Sequence, residues 1–168
     1  MKKSFAICKI FFSLALLIAI SAQAEAQNAD KQEKENARIE ALKQIVEARH
    51  FEFIPQTATP MNGGTKQISG YILKVKKDTI DSDLPYYGRA YSATIGATEG
   101  GIRFTSTDFE YNSKDGARGG WDISIAPKGV RDVQTMTLSI SNSGYTTVRV
   151  NSNTRQMISF YGFVEPLK

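Results

Sequence analysis

Three residue types that usually anchor chemistry are nearly missing from this chain. In 168 residues there is one cysteine, one histidine and one tryptophan. The cysteine, Cys8, lies in the first apolar stretch, so nothing beyond it can form a disulfide. A zinc centre needs three or four Cys, His or carboxylate ligands, and one histidine with no further cysteine does not supply a cluster. A Ser-His-Asp site would have to use His50 as its base, and no G-x-S-x-G elbow occurs. No glycine-rich phosphate loop is present either. These absences point away from an enzyme, and no catalytic residue, metal ligand or cofactor is expected. A glycosidase needs only two carboxylates, and Glu110 and Asp122 are the candidates such a reading would have to use.

Charge of one sign is also scarce. The whole chain has 21 basic and 17 acidic residues. Removing Lys2, Lys3, Lys9 and Glu25, which lie in the leader described next, leaves 18 and 16, a net of +2. The lysines and arginines are scattered and do not alternate with aromatics, so nucleic acid is not an expected partner.

The N-terminus has the order of a secretory signal peptide. Lys2 and Lys3 are followed by an apolar run to Ile20 and then by Ser21-Ala22-Gln23-Ala24-Glu25-Ala26. Cleavage is expected after Ala24 or Ala26, with residues 1–26 removed. The strongest apolar run, Ile10 to Ile20, is shorter than the roughly 20 residues of a spanning helix. Cys8 precedes most of that run, so it is not placed as a lipidation site. The expected location is the periplasm or outer envelope, with no membrane span after cleavage. The remaining 142 residues are single-domain size.

Residues 27–49 read as one helix. Asp30 and Glu33 have capping-box spacing, and Ile39, Leu42, Ile45 and Val46 fall on one stripe. That stripe predicts a helix that packs on, or plugs, the rest. Residues 50–168 alternate with period two: Phe51/Phe53, Tyr71/Leu73/Val75, Ile102/Phe104, Phe109/Tyr111, Trp121/Ile123/Ile125, Met136/Leu138/Ile140 and Val148/Val150. In the last run Ile158, Phe160 and Val164 face one way, and Met157, Tyr161 and Phe163 the other, so this strand is expected to be central or covered by the helix. Hairpins are expected at Lys77-Asp78, Ser141–Gly144 and Asn151–Thr154, and an irregular stretch over Thr57–Lys66. The fold class is mainly β: a small antiparallel β-barrel or sandwich of about eight or nine strands with one N-terminal α-helix. The outward positions are Thr, Ser, Lys, Asp and Arg, which does not suit a membrane barrel.

The segment Leu84-Pro85-Tyr86-Tyr87-Gly88-Arg89-Ala90-Tyr91-Ser92-Ala93 is distinctive. So are Gly100–Phe104, Leu138–Ser141 with Gly144-Tyr145, Ser152–Gln156 and Ile158–Gly162. Together they resemble the domain-of-unknown-function 4251 family of exported proteins from Bacteroides-type bacteria, over nearly the whole chain after the leader. That resemblance implies a Gram-negative envelope or exported protein and no reaction. Where the family often has Ala-Pro after Tyr-Ser, this chain has Ala93-Thr94.

Tyr86, Tyr87, Arg89, Tyr91 and Arg155 are the candidate binding residues. The tyrosines offer flat rings with hydroxyl ends, and the guanidinium groups can grip a carboxylate, a phosphate or sugar hydroxyls. The alternative is structural: Pro85 and Gly88 set a turn, Arg89 pairs with Asp81 or Asp83, and Arg155 holds a loop. Asp78, Asp81 and Asp83 lack the glycine and distal glutamate of a calcium loop, and Trp121 is read as core. Three functions are left in order: a non-enzymatic small-ligand binding or accessory domain, a structural or protein-interaction module of the envelope, and a carboxylate-based hydrolase. The expected partner is an unknown small ligand or an envelope protein.

Overall fold

The computed structural model describes residues 31–89, 101–117 and 119–167. The leader with its cleavage sites, Asp30, Tyr91 and Ala93-Thr94 lie outside these residues. No helix among the described residues is long and apolar enough to cross a membrane.

Helix α1 covers residues 31–47. Residues 31–38 are exposed and belong to a separate compact unit from Ile39–Lys168. From Ile39 the helix has a dry side: Leu42 and Val46 are buried, and Val46 joins the main core. Burying Val46 contributes about 2 kcal/mol. The helix ends in a Schellman turn, with His50 N–H donating to Ile45 O at 2.9 Å and Arg49 N–H to Val46 O at 3.1 Å. Arg49 occupies the left-handed position (φ 51°) that glycine usually fills. Its guanidinium lies 4.3 Å from the centre of the Tyr111 ring, which offsets part of that backbone cost.

Ten strands follow. They are β1 Phe51–Pro60, β2 Lys66–Gln67, β3 Ile72–Val75, β4 Ile80–Leu84, β5 Ile102–Ser106, β6 Phe109–Asp115, β7 Trp121–Pro127, β8 Thr135–Ile140, β9 Tyr145–Asn151 and β10 Ile158–Pro166. Nine make one antiparallel path, β5-β4-β3-β1-β10-β9-β8-β7-β6, and β2 pairs with β1. The path curls into a nearly closed barrel. Its two end strands, β5 and β6, run in the same sense and are separated only by Thr107-Asp108. The chain therefore bends once at this corner and passes from one end of the sheet to the other. Asp108 O fixes the bend by accepting from Ser106 Oγ (2.9 Å) and Lys128 N–H (2.8 Å).

The alternation read from the sequence sets which side chains enter. Phe51, Phe53, Leu73, Ile80 and Leu84 meet Ile123, Ile125, Met136, Leu138 and Phe160 across the interior, all fully or almost fully buried. Among the described residues these inward side chains form one contiguous buried core.

The irregular stretch expected from Thr57 begins four residues late. β1 continues to Pro60, past a bulge between Pro55 and Thr57 that absorbs Gln56. Opposite the bulge, any side chain at Gly162 would put its Cβ 2.1 Å from Ile54 O, so only glycine lets the two strands approach. The hairpins at Lys77-Asp78 and Ser141–Gly144 form, the second with Gly144 in the left-handed region (φ 79°). The β9–β10 connection is a longer loop whose start is folded on Ser152 Oγ, which accepts the N–H groups of Thr154 and Arg155 at 3.1 Å each. Strand β10 is central, between β1 and β9. Its outward side is not covered: Tyr161 is exposed and Phe163 half-exposed.

Candidate functional site

Two different surfaces hold the residues of interest. The first is where the β4–β5 connection meets the β9–β10 loop. Tyr86 folds back so that its hydroxyl lies 2.9 Å from Arg89 O and 3.0 Å from Gln156 O, bridging the two loops. Gln156 N–H donates to the same Arg89 carbonyl at 3.0 Å. Gly88 makes this possible, because a Cβ there would sit 2.2 Å from the Tyr86 hydroxyl oxygen. Arg155 lies over the Tyr86 ring, 5.1 Å from its centre. It donates to Gly101 O at 3.1 Å and pairs with Asp132 at 3.1 Å, with its side chain 13% exposed. Asp132 is held in turn by Thr154 Oγ1 at 3.0 Å. The space between Tyr86, Asp132 and Arg155 is too tight for a water molecule. Tyr86 and Arg155 therefore meet, with Arg89 joining through its backbone, and together they lock four chain segments.

The other candidates lie apart. Tyr87 is exposed on the far side of the turn, with Lys66 5.4 Å from its ring centre. Partial burial, then the adjacent Tyr71 hydroxyl, raises its pKa above 10.0. The Arg89 side chain is exposed and does not pair with Asp81 or Asp83. Asp83 is bound by Arg103 at 2.6 Å, and Asp81 accepts from Thr105 Oγ1 at 3.1 Å. Tyr91 lies outside the described residues. No group of three or more metal-ligating side chains forms among the described residues. Glu110 and Asp122 both face outward, yet Glu110 stands opposite Ala126, four positions from Asp122 along β7. That offset is roughly 13 Å of strand. Glu110 pairs with Lys128 at 3.4 Å and Asp122 accepts from Ser139 Oγ at 2.8 Å. The two acids do not form a hydrolytic pair.

The second surface is the outside of the sheet from β10 to β6. A groove of about 310 Å³ opens there, lined by Asn112, Lys114, Asp122, Ser124 and Thr137 with the backbone side of Ser113 and Ile123. Further along, Tyr145 and Tyr161 stack on each other, with rings within 3° of parallel and centres 5.8 Å apart. They are 48% and 46% exposed. The sequence signal for this pair was the apolar outward face of β10. What the sequence hides is that Tyr145 pairs directly with Phe163, and so falls diagonally beside Tyr161.

A model of the family described as "Domain of unknown function (DUF4251)" matches residues 33–164. The chain belongs to the DUF4251 family. Among solved structures it is similar to a DUF4251 family protein from Bacteroides eggerthii DSM 20697, at 17% identity and a TM-score of 0.61, over 77% of this chain and 88% of that one. At that identity the likeness speaks for the DUF4251 fold alone. No curated protein matches the chain. In this chain the residues locked around Tyr86 and Arg155 join loops.

Proposed function

We propose that this DUF4251 protein is an exported, non-enzymatic binding or accessory domain of the periplasm or outer envelope, and that it binds through its outer surface. One contrast carries the reading: the barrel interior is filled by large side chains, while a groove of about 310 Å³ lies open on the outside of β6–β8. A barrel that carries a ligand inside needs an empty lumen, and side chains occupy this one. Export is supported by the leader order at Lys2 to Ala26. The candidates Tyr86 and Arg155 hold the loops at the barrel end together, away from this surface, and Tyr87 and Arg89 are exposed. Strand addition to the β6 edge is disfavoured, because Glu110, Lys114 and Asp115 guard that edge with charge.

Native mass spectrometry of the full chain, expressed in a Gram-negative host and recovered from the periplasm, tests both halves. An N-terminus at Glu25 or Gln27 and a non-covalently held mass or co-purified protein are expected. An uncleaved chain in the cytoplasm would overturn export. A bare monomer that captures nothing from envelope extract would overturn the binding reading.

A further inference from the structure

We propose that the outward face from β10 to β6 binds a neutral glycan chain, with Tyr145 and Tyr161 as its stacking platform. This rests on the surface-binding reading above and names the ligand class.

The platform comes first. Tyr145 and Tyr161 are 48% and 46% exposed, and their rings stack almost parallel. A pyranose presents the complementary shape: one flat face of C–H bonds and a rim of hydroxyls. It can lie on a tyrosine ring and still satisfy its hydroxyls at the ring's edge. A purely apolar partner would leave both phenol hydroxyls without partners, at a cost.

The surface beyond the platform fits the same ligand. Thr147 stands opposite Tyr161 on β9, Ser139 opposite Thr147 on β8, and Asp122 opposite Ser139 on β7. That row runs straight from the rings into the groove. The next row continues it with Ser159, Arg149, Thr137 and Ser124. Short hydroxyls, amides and single charged groups at strand spacing donate and accept hydrogen bonds in the pattern sugar hydroxyls need. Four strand spacings give a strip of about 19 Å along the curved sheet, enough for several sugar units.

Charge selects the kind of glycan. Within the groove Lys114 stands opposite Asp122, so the two charges offset each other. The strip has no cluster of cations to hold a polyanion, and this argues against nucleic acid, phosphate polymers and acidic polysaccharides. The remaining class is a neutral polysaccharide.

Affinity electrophoresis of the full chain through gels cast with neutral xylan, mannan, mixed-linkage β-glucan or pullulan tests this, with an anionic pectin gel as comparator. Retardation in at least one neutral gel and none in pectin is expected. Tyr161→Ala and Tyr145→Ala should each weaken the retention constant about ten-fold, while Tyr161→Phe, which keeps the ring, retains most of it. Circular dichroism melts of each variant confirm the fold. No retardation in any neutral gel overturns the proposal, as does retardation that survives the folded Tyr145→Ala/Tyr161→Ala double variant. A chain that ignores every polysaccharide and still holds another mass in native mass spectrometry loses the glycan assignment and keeps the surface-binding reading. A chain that does neither loses both.

Discussion

The loop end around Tyr86 and Arg155 and the outer sheet around Tyr145 and Tyr161 contain the same kinds of side chain, yet their polar groups are used differently. At the loop end the Tyr86 hydroxyl is taken up by the Arg89 and Gln156 carbonyls and the Arg155 guanidinium by Asp132 and Gly101 O, all within 3.1 Å, and no water-sized space remains. On the outer sheet two exposed tyrosines lie on the same face as a groove of about 310 Å³. The first arrangement joins loops that would otherwise be free at the end of a barrel. The second has no such task, because the rings lie on strands whose ladders already fix them. Residues that stand out in a sequence by type are therefore not by that fact the binding residues. What distinguishes a binding group is polar or aromatic capacity that the fold has not already used.

The largest effect expected from this contrast is at Arg155. Arg155→Ala removes the ion pair to Asp132, the hydrogen bond to Gly101 O and the contact over Tyr86. The arginine is mostly buried and Asp132 about one-third exposed, so the loss should be about 2–3 kcal/mol, below that of a fully buried pair. Urea unfolding should show a lower midpoint with an unchanged slope. Arg155→Lys should recover less than half, since an ammonium cannot reach both acceptors in the fork geometry. A midpoint shift under 0.5 kcal/mol for Arg155→Ala would mean that the loops are held by something else.

Gly88→Ala comes next. The new methyl would meet the Tyr86 hydroxyl oxygen at 2.2 Å and drive the ring out of its bridge between Arg89 O and Gln156 O. A cost of about 1–2 kcal/mol is expected. Tyr86→Phe removes the same bridge without the clash, so the two changes should be strongly non-additive in a double-mutant cycle. Simple additivity would show that Gly88 serves its own backbone and not the tyrosine.

Much of this architecture was legible because it rests on periodicity. The alternation at Trp121–Ile125 and Met136–Ile140 marked the inward faces correctly, and the Leu42 and Val46 stripe marked the helix side that packs. The β1 bulge was not legible, because Gln56 carries no signal apart from the proline before it; the bulge depends on Gly162, more than a hundred residues away. Barrel and sandwich were indistinguishable in the sequence, since closure depends on how far strands stagger around the sheet. It is the bend at Thr107-Asp108 that joins the two ends. The loop lock was half legible: Gly88 and Arg155 were visible as turn formers, but the acid for Arg155 is Asp132, in a loop that no motif singled out. The outer strip was least legible, because its threonines and serines are what any wet strand face contains.

A pH effect reports on the place where Arg49, at the end of α1, meets Tyr111 of β6. Burial raises the Tyr111 pKa to about 12, and the neighbouring Arg49 cation only partly opposes it. Its hydroxyl is buried and has no hydrogen-bond partner among the described residues. In the unfolded chain the phenol ionises near 10.0. Between these values the folded chain holds a proton that the unfolded chain has lost. Stability should therefore be flat below pH 10 in respect of this group and fall as pH rises from 10 towards 12. Tyr111→Phe should flatten that fall and remove the last phenolate transition from an ultraviolet titration. If the wild-type and Tyr111→Phe curves superimpose up to pH 12, the phenol is not shielded as described.

The smallest stability effect is expected where the largest binding effect is proposed. Tyr161→Ala removes a residue that is 46% exposed and stacks on Tyr145, on a central strand whose ladder to β1 and β9 is untouched. The loss of that contact is partly offset by less apolar surface in water, so the change should stay within about 0.5–1 kcal/mol in urea. The same substitution is the one expected to weaken polysaccharide retention about ten-fold. Arg155→Ala should behave the other way, losing stability while the folded fraction keeps its retention, because the loop lock touches none of the outward rows. Measured together, the two variants form a cross: stability should fall in one and binding in the other. If Tyr161→Ala proved as destabilising as Arg155→Ala, the ring pair would be part of the architecture, and the outer sheet would no longer differ from the loop end.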